Sequence, residues 1–241
     1  MTPDEETNKN DREISPDPPW KFDMHVHSDF SGDSSTDPKK IIRLFEKKQV
    51  LSLVCDHNSL AGADAVYSGI RKLDPDIPLI LAEEIMTTDG EIIGLFLNES
   101  LEPYLSAEET LDRIHDQGGL ALIPHPFCTY RSSALSNTIL RTVIGEVDII
   151  EGYNARTVRD EENRLAREFA EEHRKPISVG SDAHTWMELG RCWLDIRPFE
   201  TPAALLRNLG TAGVQFRPMP SSIHYITKIV KKAKHNPLFQ D

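Results

Sequence analysis

The chain has 241 residues, 39% of them hydrophobic, which suffices for one domain with a sizeable core. Its net charge of −12 argues against bulk electrostatic attraction to nucleic acid, though not against a local basic groove. No apolar run reaches the roughly 18 residues of a membrane span, and three widely spaced cysteines without a CxxC pair indicate neither a disulfide framework nor a zinc knuckle.

Residues 1–19 are polar and acidic and read as a disordered arm. They hold no apolar stretch of the kind a secretory signal needs, so the expected location is cytoplasmic. A folded part begins near Trp20 and runs to about residue 217. In it, short apolar strands alternate with amphipathic helices, the pattern of a largely parallel sheet. Strands are expected at Phe22–His27, Leu51–Cys55, Leu79–Ala82, Ile92–Leu97, Leu120–Ile123, Val147–Glu151 and Ile177–Gly180. Asp37-Pro38 opens a helix with an inner stripe of Ile41, Ile42, Leu44 and Phe45. Thr87-Thr88-Asp89-Gly90 reads as a hairpin turn, making the third and fourth strands antiparallel neighbours. Ser106 and Glu109 form a capping box. Thr157 should start a long helix carrying Val158, Leu165 and Phe169, and Thr201-Pro202 opens another that Gly210 closes. Residues 218–241 form a tail with a basic helix, in which Ile223, Ile226, Ile229 and Val230 share a face and Lys228, Lys231, Lys232 and Lys234 are solvated. Seven strands imply an incomplete or distorted α/β barrel.

Histidines and carboxylates cluster where these strands end. The stretches are Asp23-Met24-His25-Val26-His27, Cys55-Asp56-His57-Asn58, Glu83-Glu84-Ile85, Pro124-His125-Pro126 and Ser181-Asp182-Ala183-His184. Imidazole and carboxylate hold Zn, Mn or Fe, and the C-terminal ends of barrel strands are where loops converge on a site. His25 and His27 lie two residues apart on a strand, so both point to one face and can grip one ion. Asp182 and His184 repeat that spacing. Together the five clusters indicate one multinuclear metal site and a metal-dependent hydrolase.

These five motifs, in this order over residues 20–217, resemble those of the PHP (polymerase and histidinol phosphatase) superfamily. Stretches such as His27-Ser28-Asp29-Phe30-Ser31-Gly32-Asp33-Ser34 and Tyr153-Asn154-Ala155-Arg156 resemble its stand-alone CehA/McbA-like metallohydrolases. The resemblance implies a distorted (β/α)7 barrel with two to three divalent ions. It implies His25, His27, Glu84 and Asp182 around the first ion, Glu84 bridging to a second on His125, and Asp33, His57 and His184 around a third. Asp56 should orient a ligand imidazole. Many relatives carry a further histidine after the glutamate; residues 85–97 contain none, leaving Glu91 or Glu151 to substitute, or a weaker second ion.

Close divalent ions acidify a water and suit a phosphate ester. The expected reaction is hydrolysis of a small phosphomonoester by a metal-activated hydroxide, with Glu84, Asp182 and His184 at the chemistry. Arg131, Arg156, Arg191 and Asn154 are the candidates to bind substrate, and His184 or His57 to relay a proton. The alternatives are a phosphodiesterase or 5′–3′ exonuclease on short nucleic acid, a non-phosphate ester or carbamate hydrolase, and a non-catalytic metal-binding regulator. Nucleic acid is disfavoured by the acidic charge and by the lack of an aromatic stacking surface. His115, His173, His224 and His235 are expected at the surface. Substrate identity and oligomeric state are open at this level.

Overall fold

The computed structural model describes residues 18–223 together with Tyr225, Thr227, Ile229 and Lys232. The arm expected over residues 1–19 lies outside this range apart from the exposed Pro18 and Pro19, as do Ile226, Val230, Lys228, Lys231, Lys234, His224 and His235 of the tail.

Among the described residues nine strands form one sheet: β1 (Trp20–Val26), β2 (Val50–His57), β3 (Ala82–Met86), β4 (Glu91–Leu95), β5 (Leu120–Ile123), β6 (Ile149–Asn154), β7 (Ile177–Gly180), β8 (Trp193–Ile196) and β9 (Gly213–Gln215). Their order is β7-β6-β5-β4-β3-β2-β1-β8-β9. The sheet curls until its first seven strands nearly close. At the closure Asp182 N donates to His25 O at 2.7 Å and His27 N donates to Ala183 O at 2.9 Å, with a parallel bridge between Val26 and Ala183. The N-terminal half of β1 is taken instead by β8, antiparallel, pairing Trp20 with Ile196 and Phe22 with Leu194. Strand β1 thus shares one edge between two partners. This is the distorted seven-stranded barrel expected, with β8 and β9 as an unforeseen antiparallel extension.

All ring pairings are parallel except those of β4, which runs antiparallel to both β3 and β5. The hairpin at Thr87–Gly90 makes this reversal: Thr87 N donates to Gly90 O at 2.9 Å, and Gly90 holds a φ of 137° that a side chain would resist. The reversal matters for the site, because it brings Glu91, the first residue of β4, opposite Met86, the last of β3.

Helices α1 (Pro38–Lys48), α2 (Ala61–Leu73), α3 (Ala107–Asp116), α4 (Asn137–Val143), α5 (Asp160–Glu172) and α6 (Pro202–Leu209) cover the ring. The caps read from sequence hold: Asp37, Ser106 and Thr201 accept from Lys39 N, Glu109 N and Ala204 N. Two apolar clusters result. One packs β1 and β2 on α1 and α2 through Phe22, Leu53, Ile41, Tyr67 and Ile70; the other packs β4 and β5 on α3 and α4 through Ile92, Ile123, Leu111, Ile114 and Leu140. No helix among the described residues is long and apolar enough to cross a membrane.

Three expectations shift. The third strand is Ala82–Met86 rather than Leu79–Ala82, and Leu79 is exposed. Its pairing with β2 matches Asp56 with Glu83 and His57 with Glu84, so the hydrogen-bonded segment is the polar one that carries both glutamates. Helix α5 starts at Asp160 rather than Thr157, and Val158 and Leu165 are exposed. Polar residues face inward there: Asn163 brackets the Asn154 backbone with two hydrogen bonds, and Glu162 accepts from Thr129. In the tail, Ile223 and Thr227 are buried, whereas Ile229 is exposed and so leaves the inner face assigned to it.

Candidate metal centre

The strand ends and the adjoining loops gather nine ligand-type side chains at one mouth of the barrel. His25 and His27 project from β1 with their Nε2 atoms 3.1 Å apart. Glu84 Oε2 lies 3.6 Å from His25 Nε2 and 3.2 Å from His27 Nε2. Asp182 Oδ1 lies 3.8 and 3.7 Å from the same two nitrogens. Four tetrahedral ligands about 2.1 Å from an ion stand about 3.4 Å apart, and these spacings bracket that edge. The tautomers agree. His25 Nδ1 faces Glu151 Oε1 at 3.0 Å, which makes it the N–H and leaves Nε2 as a lone pair turned toward the His27 ring. Two ring nitrogens and two carboxylate oxygens then converge on one point, an arrangement a cation satisfies.

Glu84 turns its second oxygen elsewhere. Oε1 lies 3.2 Å from His125 Nε2. Glu91 faces the same space, with Oε2 3.6 Å from His125 Nε2 and Oε1 3.7 Å from His57 Nδ1. His57 Nδ1 is also 3.3 Å from Glu84 Oε2. Of the two carboxylates weighed for the missing histidine, Glu91 is the one that faces His125 and His57, whereas Glu151 stands behind His25 and accepts from His125 N and Asn154 Nδ2. Burial, followed by the neighbouring Glu84 charge, pushes the Glu91 carboxyl up, whereas the imidazoles of His25, His125 and His27 overcome burial and hold Glu84 well below the usual range.

Asp33, from the loop after β1, forms a third grouping. Its Oδ2 is 3.5 Å from His57 Nε2 and its Oδ1 3.5 Å from His184 Nε2. His184 Nδ1 lies 2.8 Å from the Asp182 carbonyl, so that nitrogen carries the proton and Nε2 is free to ligate. Burial, with the neighbouring His27 and Arg156, lowers His184 to about 3, which keeps the ring neutral. His57 moves the other way: against burial, Asp33, Glu84 and Glu91 raise it to about 9. Asp33 Oδ1, His57 Nδ1, His125 Nδ1 and Asp182 Oδ1 are buried atoms without a hydrogen-bond partner. Two of the ligand positions, His125 (φ 33°) and Asp182 (φ 53°), hold left-handed backbone, a strain that functional sites commonly retain.

Other side chains hold these in place. Ser31 Oγ meets His27 Nδ1 at 3.1 Å and accepts from His57 N at 3.0 Å. Asp56 does not orient an imidazole as expected. It accepts from Ser28 N at 2.7 Å and Ser28 Oγ at 2.5 Å, pinning the turn that follows His27. Glu83 points away from Glu84, as alternation on a strand requires, and accepts from Leu101 N. Gly180 is obligatory: a Cβ there would lie 2.2 Å from Glu151 Oε1 and 2.4 Å from His25 Cβ. His115 pairs with Asp148 and His173 caps α5, both away from the centre.

The substrate-binding candidates separate. Arg131 reaches the Asp182 carboxylate with its side chain 18% exposed. Arg156 is buried; its Nε faces Glu188 Oε1 at 3.4 Å, Nη1 donates to Asp182 O at 3.4 Å, and Nη2 donates to Thr227 Oγ1 at 2.6 Å. Asn154 Nδ2 donates to Glu151 and Asp182. Arg191 is half-buried, with a buried Nε that lacks a hydrogen-bond partner. Against burial, the Arg131 guanidinium above all holds Asp182 ionised well below the usual carboxylate range. Sequence reasoning missed Glu188, which accepts from His184 N and Thr185 N; the Thr185-x-x-Glu188 spacing was its only signal. Cys55, Cys128 and Cys192 are buried free thiols.

A family model described as PHP-associated matches residues 160–212. An uncharacterised protein of Methanocaldococcus jannaschii is 38% identical over 178 residues, covering 72% of this chain and 69% of that protein. Among solved structures, a two-domain protein of Bacteroides vulgatus, whose name cites a PHP-like metal-dependent phosphoesterase inferred from sequence, superposes with a TM-score of 0.60 at 18% identity, covering 82% of this chain and 65% of that one. A protein of Bifidobacterium adolescentis, named for an inferred metal-dependent phosphoesterase activity, gives 0.57 at 16% identity, covering 70% and 89%. At such identities the structural likeness concerns the barrel. With 38% identity over 72% of this chain and 69% of that protein, the chain belongs to the family of that archaeal protein.

Proposed function

We propose that the protein is a metal-dependent phosphoesterase of the CehA/McbA-like kind, cleaving a small phosphomonoester with two or three divalent ions, Zn, Mn or Fe. The observation that carries this reading is the Glu84 carboxylate. Its two oxygens face different imidazoles, Oε2 at 3.2 Å from His27 Nε2 and Oε1 at 3.2 Å from His125 Nε2, as a group shared by two cations must. The names of the two solved relatives point the same way. Ions held there would supply an acidified water and neutralise charge on the phosphoryl oxygens.

The chain's own residues then divide the work. Asp182 and Glu84 hold ligand geometry between β7 and β3. Arg131, the more exposed of the two arginines that reach Asp182, offers a guanidinium to the phosphoryl group. Arg191 is the second candidate for that role. Arg156 and Asn154 instead fix Asp182 from behind. His184 keeps its proton on Nδ1 for the Asp182 carbonyl, which suits it to ligation rather than proton relay. Phe30, Tyr130 and Trp186 are 51, 57 and 60% exposed on the loops that follow β1, β5 and β7. These aromatics favour a phosphomonoester with a ring beside the phosphate, such as a nucleotide, over a sugar phosphate.

The test is turnover. Protein stripped of metal and reloaded with Zn, Mn or Fe is assayed on nucleotides, sugar phosphates, phosphodiesters, short oligonucleotides and carboxylic esters. Metal-dependent release of phosphate from monoesters, fastest from nucleotides, is expected. Preference for diesters, oligonucleotides or carboxylic esters overturns the substrate class, and metal-independent turnover overturns the mechanism.

A further inference from the structure

The two ends of the Glu84 carboxylate meet different chemistry. On the Oε2 side it faces three imidazoles, those of His25, His27 and His57, with the Asp182 carboxylate beside the first two. On the Oε1 side it faces one imidazole, His125, and a second carboxylate, Glu91, which is 3% exposed and within 3.7 Å of the nearest nitrogens of both His125 and His57. His57, Glu84 and Glu91 each offer a ligand atom, and these lie within 4.8 Å of one another. Two buried carboxylates this close repel when both are ionised, and a cation between them removes that repulsion, as a shared proton also would.

Carboxylate oxygen is a harder donor than imidazole nitrogen. Sites rich in it suit Mn or Mg, whereas imidazole-rich sites suit Zn and Fe. The geometry points to a division of labour between cations: the position formed by Glu84 Oε1, Glu91 and His125 takes a hard ion, Mn or Mg, while the position formed by His25, His27, Glu84 Oε2 and Asp182 takes Zn or Fe. Glu91 is the residue that sets this difference. The inference rests on the reading of the centre as a metal site and goes beyond it by naming which cation each half selects.

The measurement is metal content, with no substrate present. Wild-type protein, stripped and dialysed against equal Zn and Mn, is analysed for both metals, and bound Mn is followed by its electron paramagnetic resonance. The wild type should retain Zn and Mn together, the Mn signal belonging to a low-symmetry protein site. Glu91→Gln should weaken Mn binding at least about tenfold, since even outer partners of a metal ligand are worth 10–100-fold, and leave Zn content unchanged. Glu91→His should exchange the Mn for Zn. Circular dichroism confirms that each variant is folded; should Glu91→Gln fail to fold, Glu91→His supplies the same comparison. Retention of Mn by both variants, or Zn alone in the wild type, overturns the proposal while leaving a metal-dependent hydrolase intact. A wild type that binds neither metal overturns both readings.

Discussion

The centre has a sealed side and an open side, and they are built differently. His25, His27, Glu84 and Asp182 have side chains 0–1% exposed. They come from β1, β3 and the residues just past β7, where backbone hydrogen bonds close the ring. His57 and Asp33 are 26 and 18% exposed, and Asp33 sits on a loop. A ligand set fixed by strand pairing loses little freedom on binding an ion and exchanges it slowly. A set that includes a loop residue orders more and releases its ion more readily. The sealed side is thus suited to a resident ion, and the open side to the ion nearest solvent and substrate.

The largest effect that would break this contrast is expected from Asp182→Ala. The change removes a ligand and leaves the Arg131 and Arg156 guanidiniums without their shared carboxylate. Loss of one partner from a buried charge network costs about 3–5 kcal/mol, so the metal-loaded protein should lose its resident ion and unfold at markedly lower denaturant. Elemental analysis and a urea titration measure both. Undiminished metal content would remove Asp182 from the sealed side.

Arg156→Met should come next, at about 3 kcal/mol, because it strands the buried Glu188 carboxylate. Metal content should stay near the wild-type level, since no ligand is lost. A large fall in turnover with stability unchanged would instead make Arg156 a substrate-binding residue, the role its position after β6 suggests in the sequence.

Asp33→Asn tests the open side. It should release one ion per chain and leave the urea midpoint within about 1 kcal/mol of wild type, as expected for a partly exposed loop residue. In a chelator titration of the wild type the corresponding ion should leave first, before the resident ion of the sealed side. Simultaneous loss of every ion would show that the two sides are energetically one unit.

Much of this was legible in the sequence, and the limits have physical causes. The strand-end ligands His25, His27, His57, His125 and Asp182 stand out because titratable residues directly follow apolar runs. Glu91 was left level with Glu151, because ligands are sought at C-terminal strand ends and Glu91 opens its strand. Only the antiparallel run of β4 carries it to the same mouth. The third strand was misplaced for a related reason: apolar content marks Leu79–Leu81, but the paired segment bears Glu83 and Glu84. Arg156 read as a phosphate ligand because nothing in the sequence shows that Thr227, 71 residues on, meets its guanidinium.

That last contact gives the smallest prediction. Thr227 Oγ1 donates to Ile223 O and accepts from Arg156 Nη2, so among the described residues this hydroxyl ties the tail to the sealed side. Thr227→Val keeps the shape and removes the acceptor. A hydrogen bond to a charged group is worth about 1.5–3 kcal/mol; Arg156 keeps Glu188 and Asp182 O as partners, which places the expected loss at the lower end, about 1.5 kcal/mol. Combined with Arg156→Met, the Thr227 change should cost almost nothing further, because the contact is already gone. Urea midpoints of the two single variants and the double variant measure this coupling. Full additivity would mean that the tail helix packs independently of the centre, and that the sealed side is complete within the barrel.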